Sequence, residues 1–483
     1  MNQIANKDEL SKPDEASEQP LYEIRKEIYS RAVSGWFARW RWALVILTQV
    51  VYYGGPWLVW NGRQAVLFDL VARKFYIFGI VFWPQDFIYL TALLVISALS
   101  LFLFTAVAGR LWCGYACPQT VYTEIFMWIE RKVEGDRWAR MRLDQQQMSM
   151  RKLGLKGAKH GLWVLLSLWT GFTFVGYFTP IHQLADAVAG LATAGGAGGY
   201  PALGSWEIFW ILFYGFATYG NAGWMREQVC KYMCPYARFQ SAMFDPDTLV
   251  ITYDRERGEP RGPRTRKGDA QSPQLGHCVD CGVCVQVCPT GIDIRDGLQY
   301  ECIGCAACID GCNQVMARMN LPKGLIRYTT ENALQRKLTP QQILARTLRP
   351  RVLVYTAILW AIIIAIGINL YSRVPLKVDV IRDRASLSRE VEGRWVENIY
   401  RLQIMNTDEM PRRFMVRASG VPTLQVADEG TVEIPGAGAR MVPVRLRAEI
   451  GQLPAGSHRI EFEVTAADNT AVVARERSIF LVR

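Results

Sequence analysis

Five stretches of this chain stay apolar long enough to cross a bilayer. They lie at roughly 42–60, 87–108, 161–180, 206–224 and 352–371, each near the ~20 residues a membrane helix requires. Gly54, Gly55 and Pro56 interrupt the first, which predicts a kink there. The fourth is the least uniform, with Glu207 and Asn221 near its ends. A shorter apolar run at 75–84 follows Arg73 and Lys74 and cannot span, so it reads as interfacial or re-entrant. Short helices are expected near 119–133 and 236–244. Beyond residue 374 the pattern changes to short apolar runs at 378–381, 400–405, 414–416, 441–446, 460–464 and 478–482, separated by turn residues. That spacing predicts strands of an immunoglobulin-like β-sandwich. Residues 1–20 are polar, lack the apolar core of a signal peptide, and are expected to be disordered.

Charge orients this layout. Seven Lys and Arg precede residue 42, ten lie between 110 and 159, three between 61 and 84, and none between 181 and 205. Positive loops face the cytoplasm, so the N-terminus, 110–159 and 225–351 are expected inside and the tail outside. The net charge of +11 is thus accounted for by topology. The Arg-rich stretch 255–267 reads as a solvated linker with no nucleic-acid role. The expected organisation is a multi-domain membrane protein. Residues 1–35 are expected to form a disordered cytoplasmic N-terminus, and 36–250 a helical membrane domain with four spans. A basic linker (251–274) leads to a two-cluster ferredoxin-like α+β domain (275–320). A connector (321–351), a fifth span (352–371) and a periplasmic sandwich (374–483) follow.

The cysteines carry the chemistry. Of 12, eight lie between Cys278 and Cys312 and none follows, which is not a disulfide framework. They form two runs, Cys278-x2-Cys281-x2-Cys284-x3-Cys288-Pro289 and Cys302-x2-Cys305-x2-Cys308-x3-Cys312. This is the two-cluster ferredoxin spacing, in which the fourth cysteine of each run serves the other [4Fe–4S] cluster. Cluster one is expected to take Cys278, Cys281, Cys284 and Cys312, and cluster two Cys302, Cys305, Cys308 and Cys288. Structural zinc would use two CxxC pairs set further apart. Gly282, Gly304, Ala306, Ala307 and Gly311 leave room for close backbone approach. Asn313 stands where the first run has Pro289, a departure expected to alter the local turn and not the ligation.

The remaining four cysteines form an internal repeat, Cys113-Gly-Tyr-Ala-Cys117-Pro and Cys230-Lys-Tyr-Met-Cys234-Pro. Each copy follows a span running inward, so both pairs are expected at one membrane face, beside the ferredoxin domain. Four such thiols suit a soft ion such as Cu(I). Simple packing, a redox-active thiol role and a neighbouring quinone site are the competing readings. Met127, Met225 and Met233 are candidate soft ligands, although a methionine there more often packs in a core. His160, His182 and His277 read first as satisfied interfacial or exposed residues, and His458 carries no signal. Phosphate-binding loops, dinucleotide fingerprints, catalytic triads and haem-attachment motifs are missing from the sequence.

These features together resemble the cytochrome c oxidase accessory protein family known as CcoG, FixG or RdxA/RdxB. The paired CGYACP and CKYMCP motifs, the segment Phe78-Gly-Ile to Phe82-Trp-Pro-Gln-Asp86 and the doubled ferredoxin runs carry the resemblance from about residue 35 onward. It implies an oxidoreductase of the bacterial cytoplasmic membrane that reduces Cu(II) to Cu(I) for assembly of cbb3-type oxidase. It also implies copper at Cys113, Cys117, Cys230 and Cys234, oxidase assembly factors as partners, and a homodimer. The electron donor is left open. Two other functions fit the same motifs: a quinol-linked electron-transfer subunit, since such proteins share the motif combination, and a redox-signalling protein.

Overall fold

A computed structural model describes residues 27–192, 203–263, 275–383, 388–427 and 430–482. Of the N-terminus expected to be disordered, residues 1–26 lie outside these residues, whereas 27–35 are held in place, with Arg31 N donating to Gln286 O at 2.8 Å and Arg140 to Ser30 O at 2.6 Å.

Long helices occupy all five apolar stretches: Trp36–Gly54, Phe87–Ala108, Met150–Val175, Ser205–Thr218 and Pro350–Tyr371. Two are long and apolar enough by themselves to cross a membrane, Pro84–Ala108 (counting its first 3-10 turn) and Pro350–Tyr371. They pack side by side, and Tyr89 Oη donates to Asn369 Oδ1 at 2.5 Å near one end. Their outward faces stay bare, with Ile88, Leu94, Leu353 and Ile364 all exposed. The Met150–Val175 and Ser205–Thr218 helices pair closely and also leave apolar flanks exposed, including Leu165, Phe213 and Phe216.

Two expectations from the apolar pattern need correction. The first helix does not kink and continue to residue 60; it stops at Gly54. Gly55–Trp57 form a single 3-10 turn, and Val59–Trp60 become a strand paired with Arg63–Gln64. Pro56 cannot donate a helical bond, and its fixed φ suits the turn. The run at 75–84 does not lie flat or re-enter. Lys74–Ile77 and Ile80–Phe82 are antiparallel strands that join Val66–Asp69 in a three-stranded sheet. A short run of aromatic and β-branched residues makes a strand as readily as an interfacial helix, and strand partners on both sides decide it.

The tail is the predicted sandwich. One sheet orders Gln425–Val426, Ala439–Glu449, Trp395–Asn406 and Leu376–Arg382, with Arg389–Val391 on the edge of the long strand. The other orders Thr431–Ile434, Arg412–Ser419, Gly456–Ala466 and Val473–Val482. Alternate residues point inward, so Ile460, Phe462 and Val464 meet Tyr400, Leu402 and Ile404 in one core. All six predicted runs are strands. The three strands not anticipated, 389–391, 425–426 and 431–434, are too short or too polar to show a period.

The sandwich is tied to the small sheet and to the start of the second long helix. Asp86, buried, accepts from Trp83 N at 3.0 Å and from Arg373 at 2.7 Å, and Lys377 also reaches it. Lys74 Nζ donates to Ala437 O at 2.7 Å. At the opposite end of the long helices lies the cysteine-rich domain, closed by an antiparallel pair, Val250–Tyr253 with Ile326–Thr329. The 255–267 stretch corrects another expectation. Its described part, to residue 263, is folded: Asp254 caps a helical turn at Arg255–Gly258, and Gly262 N and Gly258 O bond the backbone of Cys278. Residues 264–267 lie outside the described part.

Candidate electron-transfer site

The two cysteine runs fold into the same loop. In each, the residue before the second cysteine is left-handed (Asp280 at φ +47°, Gly304 at +69°), as is the residue after it (Gly282 at +62°, Ala306 at +59°). Left-handed turns on either side of a cysteine point successive N–H groups toward one concavity, an arrangement suited to an anionic group. A helix then starts in each run, Val283–Gln286 and Ala307–Arg318. The first is cut short before Cys288-Pro289. The second runs through Cys312 because Asn313 replaces proline, and Asn313 Oδ1 instead accepts from Gly324 N at 2.9 Å. The departure therefore lengthens a helix.

Tertiary packing brings the fourth cysteine of each run to the other run. Burial raises the Cys312 thiol to about 12, and Cys284, Cys281 and Cys278 push it the same way. Burial likewise raises Cys308 well above its ordinary value, reinforced by Cys305, Cys302 and Cys288. Cys312 thus lies near the cysteines of the first run, and Cys308 near Cys288 and Cys284 of that run as well as its own neighbours. Cys281 is exposed, whereas Cys278, Cys284, Cys305 and Cys312 are buried. The core around them holds Ile251, Tyr253, Ile294, Ile309, Met316 and Ile326. Eight free thiols in two dry, crossed sets fit two [4Fe–4S] clusters.

The other four cysteines also converge. Cys113 sits on a five-residue helix, Leu111–Tyr115, and Cys230 on a π-helical turn, Val229–Met233. Cys117 and Cys234 take extended backbone and start the helices Pro118–Glu134 and Pro235–Met243, as the following prolines require. Burial raises Cys113 to about 11, with Cys117 adding to the rise. Burial raises Cys230 to about 12, with Cys117, Cys113 and Cys234 adding. Arg110 pulls both thiols down, and Cys302 as well. Among the described residues no three His, Cys, Asp or Glu side chains are drawn tightly enough around one point to hold a single ion. The same holds for the eight thiols of the ferredoxin runs, so it does not separate the two sets.

The first of these loops touches the second cysteine run backbone to backbone. A Cβ on Gly114 would lie 2.7 Å from Gly304 O and 2.9 Å from Cys305 N, and a Cβ on Gly304 would lie 3.0 Å from Arg110 O. Only glycine allows this approach on either side. Cys113, Cys230, Cys305 and Cys308 share one apolar cluster with Val287 and Ile303. Cys113 Sγ donates to Gln240 Oε1 at 3.4 Å, and Tyr328 Oη donates to Gly304 O at 2.5 Å. The first long helix clamps the same run: Ala38 N donates to Asp310 Oδ2 at 2.8 Å, and Arg41 pairs with Glu124. Arg41, Arg110, Gly114 and Tyr328 were not anticipated. Gly114 stands inside the CGYACP motif, which was a signal. Arg41 and Arg110 looked like ordinary flanking charges.

The remaining candidates lie elsewhere or are engaged. Met127 Sδ accepts from Ser30, and Met233 is exposed. His160 Nδ1 shares a hydrogen bond with Tyr219 Oη at 2.9 Å, and His182 lies edge-on to Trp57. Arg257 Nε donates to His277 Nδ1 at 3.0 Å. His458 contacts Pro454 O in the sandwich.

Comparison with known proteins agrees with this architecture. A 4Fe-4S dicluster domain matches residues 225–331, a 4Fe-4S binding domain matches 90–134, and the IG-like fold at the C-terminal of FixG matches 366–483. The nitrogen fixation protein FixG of Rhizobium meliloti is 38% identical, over 85% of this chain and 83% of its own length. The chain belongs to the FixG/RdxA family. Protein RdxA of Cereibacter sphaeroides is likewise 38% identical, over 89% of this chain and 90% of its own. A crystal structure of a FixG-related protein from Vibrio parahaemolyticus is 25% identical, covers 23% of this chain and 97% of its own, and has a TM-score of 0.21. As a FixG-type protein this chain carries iron–sulfur domains and acts in electron transfer.

Proposed function

We propose that this FixG-type protein is an oxidoreductase of the bacterial cytoplasmic membrane that reduces Cu(II) to Cu(I) for assembly of a cbb3-type cytochrome c oxidase. Five helices with exposed apolar flanks and the inside excess of Lys and Arg support a multi-pass protein. Its iron–sulfur domain then faces the cytoplasm and its sandwich the periplasm. Cys278, Cys281, Cys284 and Cys312 would hold one cluster, and Cys302, Cys305, Cys308 and Cys288 the other. Clusters bound there supply one-electron storage.

The observation that carries the reading is the contact of Gly114 with Gly304 and Cys305. It sets the Cys113 loop against a cluster-ligand loop with no side chain between them. Cys113, Cys117, Cys230 and Cys234 would bind the copper substrate as thiolates, and Arg110 acts against the burial that raises the Cys113 and Cys230 thiols. Cu(II) takes one electron and leaves as Cu(I), the state soft thiolates prefer.

A deletion strain tests the physiological half. Wild-type protein is expected to restore cbb3-type oxidase activity at low copper. The Cys113→Ser/Cys230→Ser variant is expected to fail while keeping its iron. Full restoration by that variant would sink the proposal.

A further inference from the structure

The donor side has a candidate site of its own. On the cytoplasmic end of the Met150–Val175 helix lies a cavity of about 380 Å³, inside the size range of roughly 300–1,000 Å³ typical of small-ligand sites. Trp163, Trp224 and His160 line it, together with Glu130, Arg226 and Glu227. A narrow crevice of about 30 Å³ continues from it. The crevice shares Arg226 and Glu227 with the cavity and reaches Cys230 and Cys305.

Its walls have unusual backbone. The Ser205–Thr218 helix passes into a π-helix, Tyr219–Met225, and Arg226 follows at φ +42°. π-helical turns gather at functional sites, and a non-glycine residue at positive φ persists only when its surroundings hold it there. These are the residues that divide the cavity from Cys230.

The wall charges narrow the ligand class. Lys159 and Arg226 are both taken up by Glu130, at 3.4 and 3.3 Å, and Arg140 joins them at 2.8 Å. Burial alone would raise the Glu130 carboxyl, but Arg226, Arg140 and Lys159 hold it below its usual range. The lining itself sets two cations, Lys159 and Arg226, against three carboxylates, Glu27, Glu130 and Glu227, so it has no surplus positive charge for a phosphate or nucleotide. Glu227 is only 7% exposed, its described contact is the Gln228 amide at 3.1 Å, and no ion pair to it is found among the described residues. A carboxylate oxygen accepts hydrogen bonds, including one from a ligand hydroxyl. His160 uses Nδ1 on Tyr219, which leaves Nε2 as the ring nitrogen available to a ligand. Trp224, exposed at the rim, offers a flat apolar face, while Trp163 is buried and stacked on Phe126.

We infer that this cavity binds the head group of a neutral, lipid-borne hydroquinone, the reductant that feeds the protein. The inference extends the proposed function to its donor. The hydroquinone loses two electrons and two protons and becomes the quinone. One proton passes to Glu227 and the other to solvent by way of His160. The two electrons go singly to the two [4Fe–4S] clusters, entering beside Cys305.

Decylubiquinone and its reduced form are suitable probes for the full-length protein in detergent. Oxidised decylubiquinone is expected to bind saturably, measured calorimetrically, even to protein stripped of iron, and Trp224→Ala weakens that binding about fivefold. Decylubiquinol is expected to bleach the oxidised clusters under anaerobic conditions. Glu227→Gln should slow this about a hundredfold while decylubiquinone binding and reduction by dithionite stay unchanged. Absence of saturable binding to wild type, or bleaching of Glu227→Gln at the wild-type rate, would overturn the inference. Reoxidation of dithionite-reduced Glu227→Gln by Cu(II) is measured alongside. Its loss would count against the copper reading alone, because dithionite bypasses the cavity.

Discussion

The two sets of cysteines differ in how they are held. The eight of the ferredoxin runs sit in two short loops of matching left-handed geometry, enclosed by the core of their own domain. The four of the repeat come from loops more than a hundred residues apart, one on an α-helical turn and one on a π-helical turn. Their positions depend on packing against the ferredoxin domain. A set fixed by local backbone suits a resident cofactor that must not leave. A set fixed by docking suits a site where something binds, reacts and departs. The contrast predicts that damage to the first set removes a cofactor, and damage to the second removes coupling while the cofactor stays.

The largest effect should follow from Cys308→Ser, whose thiol is raised by burial well above its ordinary value, with Cys305, Cys302 and Cys288 adding to the rise. Iron analysis and electron paramagnetic resonance should show one cluster lost and the other kept. Retention of both clusters would break the distinction. Gly114→Val comes next. Its side chain cannot fit 2.7 Å from Gly304 O, and over-packing of this kind costs about 1–3 kcal/mol. Both clusters should remain, with their resonance signals intact, while reoxidation by Cu(II) slows about tenfold or more, a loss typical of small misplacements between reacting groups.

Copper affinity should also depend on pH. The Cys113 and Cys230 thiols, raised to about 11 and about 12, are protonated at neutral pH and must lose their protons to bind a metal. Affinity should therefore rise with pH by about tenfold per unit for each proton released, and a titration against a chromogenic chelator at pH 6.5 and 8 should show it. A flat profile would mean that these thiols are not the ligands.

At the far end of the molecule, Asp86→Asn should loosen the link to Arg373 and Lys377. It should lower stability by about 1.5–3 kcal/mol, as loss of charged hydrogen bonds does, with no change in cluster spectra. The smallest effect is expected from Arg475→Ala. Its exposed pair with Glu463 should contribute less than about 1 kcal/mol, as thermal melting of the sandwich would show.

The same contrast explains what the sequence made legible. The loop shape of each ferredoxin run could be read from spacing because three of its cysteines and the small residues between them are local, while the fourth depends on packing against the other run. The sandwich strands were readable because inward residues alternate over many positions, as in Ile460, Phe462 and Val464. The kinship of Cys113 with Cys230 was visible as a repeat, but the role of Gly114 was not, because its partners Gly304 and Cys305 lie 190 residues downstream. Arg110, facing three thiols, looked like any basic residue at the end of an apolar helix. The run at 75–84 was misjudged because ten apolar residues do not say whether neighbouring strands will pair with them. The folded stretch to residue 263 was misjudged because its order comes from bonds to the Cys278 backbone, not from its own composition.

The central claim is that electrons leave this protein through Cys113, Cys117, Cys230 and Cys234. The most direct measurement reduces the purified protein with dithionite, removes the excess and mixes it anaerobically with Cu(II) in a stopped-flow instrument. Cluster absorbance and trapped Cu(I) are followed together. The account predicts about two Cu(I) formed per wild-type protein, one for each cluster, with clusters that stay reduced in the Cys113→Ser/Cys230→Ser variant. Clusters that reoxidise with Cu(II) at the same rate in that variant would contradict it.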